Sequence, residues 1–486
     1  VAVPEDGDAA YFLRLARGVA RDIRRGRLRP GDELPGSRSL GESLGVNRNT
    51  VVAAYRELTL EGWVVVRPGG GTFVAHDLPE VRARSFAAPA DVIARAPLFA
   101  LAPERAAAAL PTPPAPGVIV MAGGVPDVRL LPADLLARAY RRVLASPRAK
   151  SLLTYGDPRG DHELRAAIAA LAREARGVPA SAEHVLVTRG SQMALDLVAR
   201  AVVPAGGVVA VEGTGYRPAW AAFQRSGARV VPVPVDAQGI VVDAVAKLAG
   251  AGALSLLYVT PHHQYPTTVT LSPGRRTALL ELARTARFAI VEDDYDHELH
   301  YDGRPVLPLA SADARGSVVY VGTLSKVLAP GLRLGYVIAP TPLVERLARD
   351  RFVVDRQGDH VVERAAAELI ADGTVARHVR KAKRIYQARR DVLVDLLERS
   401  FGGRVEVKRP SGGMALWVRV KGPDVAARWE QRALAEGVSF AAGQRFTFDG
   451  RSIPFARFGF AMVDEAEITE AVRRLEKAWP PEPRAG

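Results

Sequence analysis

The sequence predicts two kinds of fold joined in one chain. A small α+β module comes first, followed by a large α/β domain with a parallel sheet and a smaller α+β lobe at its C-terminal end. Three observations lead there. At 486 residues the chain exceeds one ordinary domain. Residues 28–75 compress two short helical patterns and a glycine-linked hairpin into one stretch. From about Val118 onward, amphipathic helical stretches alternate with β-branched runs, "VVAVEG", "LSLLYVTP", "FAIVEDD" and "SVVYVGT". Each run ends in polar or glycine residues, the pattern of buried parallel strands whose C-terminal ends open on a crevice.

Composition narrows the function classes. Hydrophobic residues make up 48% and charged ones 24%, the balance of a globular protein rather than a disordered one. No apolar run reaches membrane-spanning length, and Glu5, Asp6 and Asp8 stand where a signal peptide would need basic and then apolar residues. Cysteine is absent, which removes disulfides, thiolate metal sites and cysteine nucleophiles and fits a cytoplasmic location. No metal site is expected. The formal net charge of +13 favours a polyanionic partner. Residues 1–76 hold 11 arginines against 9 acids, a balance of +2, so there placement must matter more than number.

In the first module, Ser37 is expected to cap a helix beginning at Arg38, and Gly45 to end it. Asn47 caps a second helix, "RNTVVAAYRELTLEG", which Gly62 stops. The short turn between them is that of a helix-turn-helix. "WVVVRP" and "TFVA", joined by Gly69-Gly70-Gly71, then form a wing. Arg48, Asn49 and Thr50 fall on the first turn of the second helix, where such side chains reach base edges and phosphates. The alternative is a helix pair that only packs. With Pro35, Arg38, Leu44-Gly45-Val46, Arg48, Thr50, Gly62 and Gly71-Thr72-Phe73 in order, the stretch resembles the winged helix-turn-helix of the GntR family of bacterial regulators. That resemblance implies DNA contacts by Arg38, Asn47, Arg48, Asn49, Thr50 and the wing at Gly69. Residues 77–118, rich in Ala and Pro and ending in a proline cluster, read as a linker.

The second module places chemistry at strand-to-loop junctions. "VLVTRGSQMALDLVARAV" gives a strand, Gly190-Ser191 and a helix, an arrangement that holds phosphate on backbone N–H groups and a hydroxyl. Tyr216 follows another strand and can stack on a ring. In "AIVEDDYDHEL" the carboxylate of Asp293 can pair with a pyridine nitrogen and the phenol of Tyr295 with a ring oxygen. In "GTLSKVLAPGLRLGY" a single lysine, Lys326, is flanked by Ser325 and Arg333. These are the groups a pyridoxal 5'-phosphate site requires. Taken singly, Gly-Ser is also an ordinary cap, the acidic run a solvated loop or metal site, and the lysine a surface residue.

Their order supplies the discrimination. "YGDPRG", "TRGSQMALDL", "TPHHQYPTT", "EDDYD", "TLSK" and "PGLRLGY" follow one another across residues 119–482 in a way that resembles the fold-type I aminotransferases. The resemblance implies that Lys326 forms the Schiff base with the cofactor, that Asp293 pairs with its pyridine nitrogen, and that Tyr295 lies near its ring oxygen. It implies stacking by Tyr216, phosphate contacts by Gly190, Ser191, Ser325 and Arg333, and a carboxylate grip by Arg457. Tyr155 would reach the cofactor phosphate of a second subunit, so a homodimer is implied. His263 opens "HQYPTT", which stands where aminotransferases carry an Asn-Pro-Thr-Gly turn beside the ring oxygen. A winged helix, a proline-bearing linker and this domain together are similar to the MocR/GabR-type subfamily. Residues 1–76, 77–118 and 119–482 are then the DNA-binding domain, the linker and the effector-sensing domain.

The function expected is a pyridoxal-phosphate-dependent regulator that binds an operator in double-stranded DNA and senses an amino compound or the cofactor itself. The alternative is a genuine aminotransferase with an accessory DNA-binding domain, and a slow half-reaction is compatible with the parts present. A helix-turn-helix protein that has lost its cofactor fits less well with the intact lysine, aspartate and arginine. The basic stretch 377–390, "RHVRKAKRIYQARR", is expected to be a solvated helix face rather than a DNA track.

Overall fold

A computed structural model describes residues 10–67, 70–79, 100–101, 113–252 and 254–481. Gly69 and most of the expected linker lie outside the described residues. The chain forms two compact units, Val1–Ala102 and Pro103–Gly486.

The first unit has helices Tyr11–Arg24, Ser37–Leu44 and Arg48–Leu60 and an antiparallel sheet in which Gly71–Val74 lies between Glu33–Leu34 and Val64–Arg67. Leu15, Val19, Leu40, Val51, Leu58 and Trp63 are buried at its centre. Gly45 ends the second helix in the left-handed region, at φ 66°. Asn47 caps the third, its side chain accepting from the N–H of Asn49 at 2.8 Å. Ser37 does not cap: Gly36 holds that position, and the Ser37 hydroxyl accepts from Arg48 Nε at 3.4 Å instead. The first helix and the strand at Glu33 go beyond the sequence reading. They supply the third wall of the core and the outer strand of the wing sheet.

The second unit is built on a seven-stranded sheet in the order 185–188, 335–338, 318–323, 289–294, 254–259, 208–212, 229–233. Six strands are parallel, but Gly335–Ile338 runs antiparallel to both neighbours. The sheet is therefore mixed rather than parallel. That reversal carries Arg333, just before the antiparallel strand, to the edge where the parallel strands end. Helices 162–176, 273–286 and 360–371 cover one face, and helices 191–202, 217–225 and 341–354 the other. Strands 208–212 and 318–323 are buried along their whole length, which explains their unbroken apolar runs.

The C-terminal lobe is a four-stranded sheet, ordered 405–407, 415–420, 455–459, 441–442, with helices 374–401, 423–435 and 465–477. Trp429, Phe401, Phe440 and Phe458 fill its core. The basic stretch 377–390 lies in the helix Thr374–Phe401 and is not simply a solvated face. Arg389 and Arg390 are buried. Arg389 pairs with Asp127 at 3.0 Å and Arg390 with Asp302 at 2.9 Å. No described helix is long and apolar enough to cross a membrane.

Candidate functional site

Asp293 and Lys326 lie at the C-terminal ends of adjacent parallel strands. Strand 289–294 pairs with 318–323 in the register Asp293↔Val321, and Lys326 follows three residues after Thr323. The partly buried Lys326 donates from Nζ to the Gly124 carbonyl at 2.9 Å. Burial, reinforced by the Arg457 charge, lowers its pKa to about 8. Asp293, 4% exposed, accepts at Oδ2 from the Tyr258 phenol at 2.9 Å. Its Oδ1 has no partner among the described residues. Burial is the main reason its pKa rises to about 7, against the lowering effect of the Tyr258 hydrogen bond. Glu212, buried at the end of strand 208–212, two strands over, and bonded by Thr260 Oγ1 at 2.7 Å, is raised to about 7 by desolvation as well.

Arg457 is also buried, at 2% exposure, on the lobe strand 455–459. Its guanidinium carbon lies 4.6 Å from the Tyr265 ring centroid, and its Nε and Nη1 have no partner among the described residues. Gly124 makes room for it, since a Cβ there would come within 3.1 Å of Arg457 Nη2. Tyr216, at the head of helix 217–225, meets Tyr265 edge to face at 5.4 Å between centroids, and burial pushes its pKa up to about 12.

Gly190 has φ 81° and precedes helix 191–202, at whose first position Ser191 stands. A Cβ on Gly190 would lie 2.7 Å from Arg333 Nη2, so the glycine lets that guanidinium approach the helix start. Arg333 donates from Nη2 to the Arg189 carbonyl at 2.9 Å and is exposed, so the cleft opens to solvent on that side. Ser325 is buried with its hydroxyl unpartnered among the described residues.

One expected residue, His263, is placed differently. The Tyr295 phenol donates to the His263 carbonyl at 2.9 Å. The His263 ring is engaged by Asp296, its Nδ1 2.9 Å from Oδ1. Tyr155 is 76% exposed, with the Arg356 guanidinium 3.8 Å from its ring centroid, and does not join the cleft of its own chain. Gly124, Tyr258 and Tyr265 belong to the cleft but were not singled out from the sequence. The "GG" of "MAGGVPD" and a tyrosine near the end of the mostly aliphatic strand "LSLLYV" were the available signals.

These residues fit a pyridoxal phosphate group. A buried acid with one free oxygen faces the lysine, and an unpartnered hydroxyl, a helix start and an arginine cluster at one end. In the first unit, Arg38, Asn47, Arg48 and Asn49 are exposed on one helix and the start of the next, with Thr50 partly buried.

Comparison with known proteins agrees with both halves. Residues 122–475 match aminotransferase class I and II, whose members bind pyridoxal phosphate, and residues 13–74 match the gntR family of bacterial regulatory proteins. The chain is 31% identical over 484 residues to "Probable rhizopine catabolism regulatory protein MocR" of Rhizobium meliloti, covering 99% of this chain and 96% of that protein. It is 32% identical to the HTH-type transcriptional regulator TauR of Rhodobacter capsulatus, covering 97% of each. Among solved structures, the Pyrococcus horikoshii kynurenine aminotransferase in complex with PMP is similar at 28% identity and a TM-score of 0.70. That match covers 75% of this chain and 91% of that one. The chain belongs to the MocR-type GntR transcriptional regulators, which join a GntR helix-turn-helix to an aminotransferase-like domain. Its helix-turn-helix implies DNA binding.

Proposed function

We propose that this regulator holds pyridoxal phosphate in the cleft around Lys326 and uses it to sense an amino compound that carries an anionic group. The observation that carries the reading is the convergence of unpartnered buried polar atoms on that cleft: Asp293 Oδ1, Ser325 Oγ, and Arg457 Nε and Nη1. When bound, the cofactor supplies an electrophilic carbon that exchanges between amines and a ring that draws electrons from the attached amine. Lys326 would hold that carbon, with Asp293 at the ring nitrogen and Tyr216 as the stacking wall. Tyr295 would lie beside the ring oxygen, while Gly190, Ser191, Ser325 and Arg333 receive the phosphate. Burial raises the share of Lys326 that is neutral, the form in which its nitrogen is a nucleophile. Arg457 would take the effector's carboxylate or equivalent anion.

A homodimer is part of the reading, with Tyr155 reaching the second subunit's phosphate. Its support is an apolar surface left exposed around that residue: Leu153, Phe352, Val353 and Val354, with Arg356 touching both Tyr155 and Phe352. Residues 1–76 would be the DNA-binding domain, 77–118 the linker and 119–482 the sensor. On DNA, Arg38, Asn47, Arg48, Asn49 and Thr50 would make the contacts, and the wing at Gly69 would add to them. Effector binding biases DNA occupancy only to the extent that it favours one of two arrangements of the dimer.

The test is a spectral screen of amino compounds on the reconstituted protein, followed by operator binding with each compound that shifts the spectrum. A reactive amine should change operator affinity by about 5- to 150-fold. Protein that stays colourless with pyridoxal phosphate would overturn the cofactor reading. Spectral turnover without any change in DNA affinity would favour an aminotransferase with an accessory domain.

A further inference from the structure

Four of the chain's nine histidines, His262, His263, His297 and His300, lie in one buried cluster, each no more than 6% exposed. Ring centroids are 4.3 Å apart for His262 and His263, 5.6 Å for His262 and His300, and 5.8 Å for His263 and His300. The candidate cofactor site uses none of these rings. Neither ring nitrogen of His262 has a partner among the described residues, nor do Nε2 of His263 and Nδ1 of His300. Buried polar atoms are normally paired, so three converging rings with free nitrogens point to a ligand.

We infer that His262, His263 and His300 form a binding site for a divalent transition-metal cation of the zinc class. One ligand atom from each lies within 4.8 Å of the others. A tetrahedral ion with bonds of about 2.0–2.1 Å sets its nitrogens roughly 3.3 Å apart, so small ring movements close the site. Three imidazoles select zinc, nickel or copper over magnesium or calcium, and the chain has no thiolate to compete. Asp296 occupies Nδ1 of His263 at 2.9 Å, which leaves Nε2 as the ligand atom and supplies the carboxylate that commonly orients a metal-bound histidine.

A second triad, His262 with Asp294 and His297, is less suited. Asp294 Oδ2 already accepts the Tyr320 phenol at 2.7 Å and lies 3.1 Å from His297 Nδ1. An ion on the first triad would tie "HH" at 262–263 to the segment 293–300, which carries Asp293 and Tyr295. The inference stands independently of the cofactor reading.

Full-length protein is stripped with chelator, dialysed against Zn²⁺, desalted and analysed for metal. About one zinc per chain is expected, and Co²⁺ in its place should give the intense visible d–d bands of a tetrahedral nitrogen site. H262Q and H300N should each weaken Zn²⁺ binding at least tenfold against a chromogenic chelator, while H297N keeps it. Wild-type protein that retains no zinc and gives no tetrahedral Co²⁺ spectrum would overturn the site. Loss in H297N with retention in H300N would overturn the choice of triad. The wild-type Co²⁺ spectrum decides the matter even if a variant fails to fold.

Discussion

The depressed pKa of Lys326 makes its reactivity with pyridoxal phosphate a function of pH with a calculable midpoint. An exposed lysine titrates near 10.4, so at pH 7.5 only about 0.1% of it is the neutral amine. With the pKa lowered to about 8, roughly a quarter of Lys326 is neutral at that pH, an advantage of about two hundredfold. Mixing the cofactor-free protein with pyridoxal phosphate across pH 6–10, and following the visible or near-ultraviolet band, should give a rate that rises to a plateau with a midpoint near 8. Borohydride should fix the band, and Lys326→Ala should abolish it. Arg457→Gln removes the cation that ranks second among the causes of the depression, so the midpoint should move upward while staying below the ordinary lysine value. A midpoint near 10, or a band that survives Lys326→Ala, would refute the assignment of Lys326 and the electrostatic account together.

Other perturbations test other parts. In cofactor-free protein the depressed pKa of Lys326 is a stability penalty, fully present below about pH 8 and relieved as the pH rises from there to the unfolded value. Lys326→Met should therefore raise stability at pH 7 by at most about 3 kcal/mol, read by denaturant unfolding, the partial exposure of the side chain reducing the gain. Asp293→Asn should weaken cofactor retention at least tenfold in equilibrium dialysis. Arg48→Ala should lower operator affinity and reduce the slope of log affinity against log salt by about 1, and an unchanged salt series would remove Arg48 from the interface. Arg389→Ala removes one of two arginines on the buried Asp127 carboxylate, whose other oxygen keeps Arg129 Nε at 2.8 Å, and should cost about 1–3 kcal/mol in unfolding, whereas an exposed pair such as Arg200–Asp196 should cost under about 1.

Which features were legible in the sequence follows a physical division. Strands 208–212, 254–259, 289–294 and 318–323 are read correctly because both faces are buried, and this forces continuous apolar runs. Helix 191–202 and the cap at Asn47 are likewise local and readable. The antiparallel strand 335–338 is not, since strand direction leaves no trace in an apolar run of four residues. Ser37 misleads for a similar reason: a hydroxyl before a helix satisfies the capping pattern, but Arg48, eleven residues on, takes it instead. Within the site, side chains fixed by their own strand end, such as Asp293, were legible. Gly124 was not, because its role is to make space for Arg457 from a segment hundreds of residues away. Arg389 and Arg390, at the end of 377–390, look like solvent charge until their partners, Asp127 and Asp302, arrive from distant loops.

The same division bears on how a sensor differs from a packed core. Each unpartnered buried polar atom costs about 1–3 kcal/mol, and a domain of this kind stands only about 5–15 kcal/mol above unfolding. Asp293 Oδ1, Ser325 Oγ and two nitrogens of Arg457 share one cleft. The cost therefore falls where a ligand can remove it. Arg457 comes from the lobe, whereas Asp293 and Lys326 come from the main sheet, so a ligand that satisfies all three bridges the two layers of this unit. Binding energy gained there would become a preference for one lobe position, and a lobe position is what the proposed dimer would pass on. A ligand that satisfies Asp293 and Ser325 alone, such as pyridoxal phosphate without an anionic amine, stabilises the sheet side and leaves Arg457 unmatched. Thermal shifts should accordingly be additive in two steps, cofactor first and anionic amine second, with the second step lost in Arg457→Gln.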